Sequence, residues 1–544
     1  EEKDIIDPNK EFNNFLSSKN LNFKELVIKL LKERYLINFI DHQDDLVKKY
    51  QKTLESLRNQ SLIILNGIML DTKNKLIGNP DIIINNQVLL SMIELLDQER
   101  YSKIFEYLKK NNQGFSIVNI KCSKFTFSSD KVHINNNNNN IRYLKSKNII
   151  EQICLNQMLN QENSISFILG YTDTNIQPIN IVKQFIVVDY NDRDREIKDD
   201  IYAGLRWLND LKINIDNWSL DNLPQIPELY PNMKNSEDFP WHSFKIKLAK
   251  KKNEITLLPY CGPKKRSRCY ELGINSFQNC NASNLNCKSN KRSKIVDSII
   301  NLNQKDNSIL FFPRRIKNFK NLQKLKKQPV EFYVDFETVG TFIDDVSDST
   351  SDCKIFMIGC FTVMYTNDFK NYTTEFKTFT SKTLQNDDEI FIVNQWLDYM
   401  SNIYHKYRLK NIKKKKFNRP PIYHWSKAEP IVLNKFWIHH QLPNQMTNLN
   451  FVDILDIFQN DPIIIKDTFS FSLKEISKSL YNLGMIETIW KESKILNGKN
   501  ALFYAWNYYN SSIKDETIME QIIEYNYVDC KVMQEIMNFL RSRI

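Results

Sequence analysis

"EFYVDFETVG", Glu331 to Gly340, decides how the chain is read. Its apolar residues predict a buried strand, yet the strand ends in two acids. Successive side chains on a strand point to opposite faces, so Asp335 and Glu337, two apart, point the same way. Two neighbouring carboxylates repel and shift each other's pKa unless a cation lies between them. Hard cations such as Mg²⁺ or Mn²⁺ take oxygen ligands. The other reading, one acid capping the strand and one solvated, carries no chemistry.

Further along, "YNYVDCKVM" places Tyr525 and Asp529 four residues apart on a helical pattern, hence on one helix face. A phenol beside a carboxylate suits a site that holds a metal and orients water. Between these motifs "IYHWSKAEP" carries His424 at a strand end and Glu429 five residues later. Acidic segments from distant parts of the chain, each at an element end, form a two-metal constellation in principle. Asp453, in "NFVDIL", is a reserve acid whose first reading is a helix cap.

The surrounding pattern is mixed α/β. Strands are expected at "EFYVDFE", "KIFMIGCFTVMY" and "TTEFKTFT", then a helix at "DEIFIVNQWLDYMSNIYHKY", a strand at "PIYHW", a helix at "PIVLNKFWIHH", a strand at "LNFVDIL", and closing helices. Nearer the start, helices are expected at "FKELVIKLLKERYLINFI" and "DDLVKKYQKTLESLRNQ". Strands follow at "SLIILNGIML", "PDIIINN" and "FSIVNIKCSKFTF", a helix at "NIIEQICLNQMLNQ", and strands at "SISFILGY" and "QFIVVDY". Three domains are expected: 1–195, a middle region 196–328 that is basic, weakly patterned and a candidate nucleic-acid binder, and 329–544.

The 544 residues carry 75 Lys and Arg against 64 acids, a net charge of +11, which tilts the expected partner toward polyanions. No apolar run approaches the roughly 18 residues of a membrane span, so no membrane partner is expected. Nine cysteines, an odd number in a large chain, read as reduced thiols in an intracellular setting: cytoplasm, nucleus, or a virus factory or virion. Abundant Asn, Ile and Lys, with the run "INNNNNN", fit an AT-rich genome of the kind found in some protists and large DNA viruses. Basic runs include Arg314 and Arg315 in "PRRIKNFK" and Lys413, Lys414, Lys415 and Lys416 in "LKNIKKKKFNRPP"; they could track phosphates. Cys261, Cys269, Cys280 and Cys287 cluster without C-x-x-C spacing, leaving a zinc or iron–sulfur site open.

The three C-terminal motifs together resemble the DEDD exonuclease superfamily, in its tyrosine-bearing type with an RNase H-like (DnaQ-type) fold. "SFSLKEISKSL" resembles a helix of such domains. The resemblance covers about Pro329 to Ile544. It implies that Asp335 and Asp529 hold the catalytic metal, that Glu337 shares it and contacts the water, and that Tyr525 orients the water. Glu429 stands where the family usually carries Asp, and His424 matches the His that often opens that motif. Two Mg²⁺ or Mn²⁺ ions per site and 3′ to 5′ polarity are implied likewise.

"IGNPDIIIN" and "FSIVNIKCS" carry Asp81 after Pro80, and Lys121 two residues after Asn119. This pattern is similar to RecB-type PD-(D/E)-x-K nucleases, which have a restriction-endonuclease-like fold. Gln152 in "EQICLN" matches their following helix, with Asn156 where Tyr is usual. Asn119 takes the second acid position and brings no charge, so the N-terminal site is read as degenerate. The joint order resembles a family of predicted fused nucleases in bacteria and archaea. The expected function is a metal-dependent 3′–5′ exonuclease acting on DNA or RNA. The alternatives are an endonuclease or end-processing enzyme using the N-terminal site, and a non-catalytic nucleic-acid-binding scaffold.

Overall fold

A computed structural model describes the chain except residues 1–2, 6, 97–100, 126, 131, 137–138, 172–184, 222–224, 237, 305–307, 341–353, 411–418, 492–494 and 496. The chain is a multidomain α/β protein that divides into two compact units. One is essentially residues 14–217; the other holds residues 1–13, 218–341 and 351–544. Of the middle region 196–328, residues 218–328 thus belong to the same unit as the C-terminal motifs, and residues 196–217 belong to the first. No helix among the described residues is long and apolar enough to cross a membrane.

The first unit holds β1 (Ile37–Phe39), β2 (Ile63–Leu65), a small hairpin of β3 (Met69–Asp71) and β4 (Leu76–Gly78), β5 (Ile82–Asn85), β6 (Phe115–Lys124), β7 (Ile165–Tyr171) and β8 (Phe185–Asp189). Its mixed six-stranded sheet runs β1-β2-β5-β6-β7-β8. The "SLIILNGIML" run is two strands because Asn66 adopts φ 59° and turns the chain between them. The expected first helix covers Lys10–Lys32, and "INF" beyond it supplies β1. Apolar residues on successive strand positions divide cleanly. Val118 and Ile120 pack with Phe23 and Val27 of the helix Lys10–Lys32. Ile117 faces the other way, onto Cys154 and Leu155 of the helix Asn139–Leu159.

The second unit holds β9 (Phe311–Phe312), β10 (Val330–Val339), β11 (Lys354–Tyr365), β12 (Tyr372–Thr380), β13 (Pro421–His424), β14 (Asn450–Asp453) and β15 (Ile464–Ile465). Its five-stranded sheet has the order β12-β11-β10-β13-β14. The first three strands are antiparallel neighbours, and β13 and β14 run parallel to β10. The helix Asn386–Lys410 leads from the antiparallel part to β13, and the helix Ala428–His439 joins β13 to β14. Phe332 and Val334 pack with these helices through Trp396 and Leu433. Tyr333 packs on the opposite face, with Met533 and Ile536 of the helix Glu516–Arg541. The parity of the strand therefore turns Asp335 and Glu337 toward that last helix.

Beyond the helix Arg195–Asn214, the described residues of the middle region form four α-helices: His242–Lys252, Pro263–Glu271, Asn290–Leu302 and Phe319–Leu325. Their core gathers Tyr230, Leu258, Ile295 and Ile299 with Ile464 of β15. Short helices with basic faces carry too few apolar residues to show a clear period.

Candidate metal centre

Asp335 and Glu337 come from the end of β10, and Asp529 from the helix Glu516–Arg541. One carboxylate oxygen from each lies within 4.8 Å of the others. Glu337 and Asp529 are buried, Asp335 half-buried. Desolvation raises all three carboxyls: Asp335 well above the usual range, Glu337 up to about 8 and Asp529 up to about 7; the charge of Asp529 adds to the first two and that of Glu429 to the third. Such a cluster is costly unless protonated or neutralised by a cation.

One amide holds the cluster in register. Asn526, fully buried, donates from Nδ2 to Asp335 Oδ2 at 2.8 Å. It reaches that position because Gly359 stands opposite Asp335 on β11. A Cβ at Gly359 would lie 1.6 Å from Asn526 Oδ1. The signal was present in the sequence: a glycine inside an apolar strand marks close approach of another group.

Tyr525, one turn before Asp529, is buried, and desolvation followed by the charge of Asp529 raises its phenol pKa. Lys474 lies on the helix Leu473–Asn482, within the "SLK" stretch. Its Nζ is 4.8 Å from the Tyr525 ring centroid and 5.4 Å from that of Trp490. Burial lowers the Lys474 pKa, opposed by the charges of Asp529 and Glu337. Asn526, Gly359 and Lys474 carry no individual role in the motif reading.

Glu429 is buried in the first turn of the helix Ala428–His439, with Oε2 3.2 Å from His424 Nδ1. Its charge contributes to the raised carboxyls of Asp335, Glu337 and Asp529. It is not among the three whose oxygens meet within one ion's reach. It therefore borders the cluster, oriented by His424. Asp453 is engaged elsewhere: its Oδ1 accepts from the backbone N–H of Ser426 and of Leu455, both at 2.9 Å, capping the helix Ile454–Asn460.

In the first unit, the Asp81 carboxylate bonds Lys24 Nζ at 2.8 Å and accepts the Ile120 N–H at 2.7 Å. Asn119 accepts from the Asp81 N–H at 3.2 Å and donates to Glu151 Oε2 at 2.6 Å. Glu151, which sequence reasoning passed over beside Gln152, is buried, and desolvation raises its pKa. Its Oε1 is 3.7 Å from Lys147 Nζ. The second acid thus comes from a helix, and each acid has its own ammonium. Gln152 Oε1 accepts from the Ile117 N–H at 3.1 Å and its Nε2 donates to Asn156 at 3.0 Å, a bracing role. Lys121 is half-buried, two residues beyond Asn119 on β6.

Arg314 and Arg315 are exposed after β9; Lys413, Lys414, Lys415 and Lys416 lie outside the described residues. Cys269 Sγ and Cys280 Sγ are 3.8 Å apart in the middle-region core. Among the described residues, however, the acid trio is the one group of three or more metal-type ligands within reach of a single ion. No protein-family model, curated protein or solved structure matches the chain.

Proposed function

We propose that the chain is a metal-dependent nuclease that removes nucleotides from the 3′ end of a DNA or RNA strand. The observation that carries this reading is the convergence of Asp335, Glu337 and Asp529 in a buried setting. The donor set is all oxygen, with no sulfur or imidazole among the three, which suits Mg²⁺ or Mn²⁺. Asp335, Glu337 and Asp529 would hold the cation, with Glu429 at the edge; the family resemblance implies two ions. Divalent cations supply charge neutralisation and Lewis acidity to a phosphodiester.

The chain's own groups have separable tasks. The Tyr525 phenol keeps its proton, so it orients an attacking water by hydrogen bonding rather than as a phenolate. Lys474 offers an ammonium beside Glu337 and Asp529 to a phosphate oxygen. His424 orients Glu429. Three antiparallel strands followed by two helix-linked parallel strands agree with an RNase H-like fold. In the first unit the pairing of Asp81 with Lys24 and Glu151 with Lys147 favours a non-cleaving role, on a sheet read as restriction-endonuclease-like.

The test is cleavage of 3′- and 5′-labelled DNA and RNA with Mg²⁺, by wild type and Asp335→Asn. The expected result is loss of nucleotides from the 3′ end, reduced at least about a hundredfold in the variant. An Asp335→Asn protein as active as wild type would sink the assignment.

A further inference from the structure

The charge of this chain is not spread evenly. Between His242 and Lys294 it carries 13 Lys and Arg against two acids, Glu254 and Glu271. That excess of 11 equals the formal net charge of the whole 544-residue chain. The remaining residues are balanced, so the basic character belongs to one segment of the middle region.

A few of these cations are internal. Arg266 is buried against Glu254, and Lys245 is buried against Asp238. Most of the others are exposed, including Lys250, Lys251, Lys264, Arg268, Lys288 and Arg292. Two contacts bring the starts of two helices together. Lys265 Nζ lies 4.0 Å from Cys287 Sγ, tying the start of the helix Pro263–Glu271 to the approach of the helix Asn290–Leu302. The Arg292 guanidinium lies 5.0 Å from the Tyr260 ring centroid. Lys264, Lys288 and Arg292 therefore share a surface, with an exposed aromatic among them. Tyr260 holds φ 61°, a conformation uncommon for a non-glycine residue.

We propose that this surface, around Tyr260, Lys264, Lys288 and Arg292, binds the sugar–phosphate backbone of a nucleic acid irrespective of sequence. A segment this dense in cations, with two acids of its own, fits a polyanion of regular charge spacing. The guanidinium–phenol pair offers a planar stack that a base or sugar can extend. The choice of nucleic acid among polyanions rests on the nuclease reading. The binding itself needs neither metal nor cleavage, and a protein without nuclease activity could still show it.

The experiment is fluorescence anisotropy in EDTA, with a labelled mixed-sequence DNA duplex and its single strand. It compares wild type with a Lys264→Gln, Lys288→Gln, Arg292→Gln variant from about 50 to 200 mM salt. Each phosphate contact contributes about 0.9 to the log–log salt slope on duplex and about 0.7 on single strands. The variant should lose roughly 2.7 from the duplex slope or roughly 2.1 from the single-strand slope, and bind at least about tenfold more weakly at low salt. The substituted side chains are exposed, and an unchanged melting temperature verifies the fold. A single Lys264→Gln variant, expected to lose about one-third of that slope change, serves if the triple variant melts early. The proposal is overturned if wild type binds neither probe at low salt, or if the variants keep the wild-type slope. It is likewise overturned if phosphatidylserine vesicles, but not nucleic acid, lose binding to the variant.

Discussion

At the scale of single residues, the centre depends on an atom that is missing. Gly359 leaves the space that Asn526 fills, and Asn526 donates to Asp335 Oδ2. A methyl group there must displace the Asn526 side chain from its place beside Asp335. Gly359→Ala should therefore cost roughly 1–3 kcal/mol in chemical denaturation, the usual range for overpacking. Nuclease activity should fall further than stability requires. A variant with wild-type stability and activity would show that Asn526 does not position Asp335. Asn526→Asp should also fail, by adding a fourth carboxylate to a cluster already burdened with repulsion.

At the scale of elements, β10 and the helix Glu516–Arg541 are joined at two places along their length. Near the strand's end lies the Asn526–Asp335 bond; near its start lies a buried ion pair. Arg541 Nη1 and Nη2 lie 3.0 and 2.5 Å from the two oxygens of Glu331. Tyr333 donates to the same carboxylate at 2.8 Å. Because Glu331 and Asp335 are four apart on one strand face, the pair at one end fixes the register that the acids need at the other. Glu331→Gln leaves the Arg541 guanidinium buried without its counter-charge and should cost about 3–5 kcal/mol, read from the urea midpoint. Adding Arg541→Met to that variant should restore part of the loss, since the stranded charge is then gone. No recovery in the double variant would place the cost elsewhere.

At the scale of the whole molecule, the acids link folding to pH and to metal. The folded pKa of Glu337 is raised from 4.5 to about 8 and that of Asp529 from 3.8 to about 7. Raised carboxyls stabilise the fold fully below their unfolded values, and that contribution is lost as pH rises through about 7 to 8. In EDTA the second unit should thus lose stability, on the order of a few kcal/mol, between about pH 5 and pH 8.5. Mg²⁺ or Mn²⁺ should restore it at the upper end and do little at the lower end, where protons compete for the same oxygens. Melting temperatures with and without Mg²⁺ at both pH values check this, and Glu337→Gln should flatten the pH dependence. A metal increment equal at both pH values, or retained in the Asp335→Asn, Asp529→Asn protein, would remove the ion from this site.

What the sequence determined by itself is what short-range periodicity can encode. The two-residue repeat of a strand put Asp335 and Glu337 on one face, and the four-residue spacing put Tyr525 and Asp529 on one face of a helix. The alternation of apolar runs marked all five strands of the second sheet. Packing decided the rest. Glu429 and Asp453 were both free to complete the cluster on spacing alone. The fold sets Glu429 at the border of the cluster, bonded to His424, and commits Asp453 to two backbone N–H groups. Asn119 looked like a bare loss of charge, yet a glutamate 32 residues away and a lysine 57 residues from Asp81 complete that site as paired charges. Such pairings bring together residues whose spacing along the chain carries no period. They exist only once sheet order and helix docking are set.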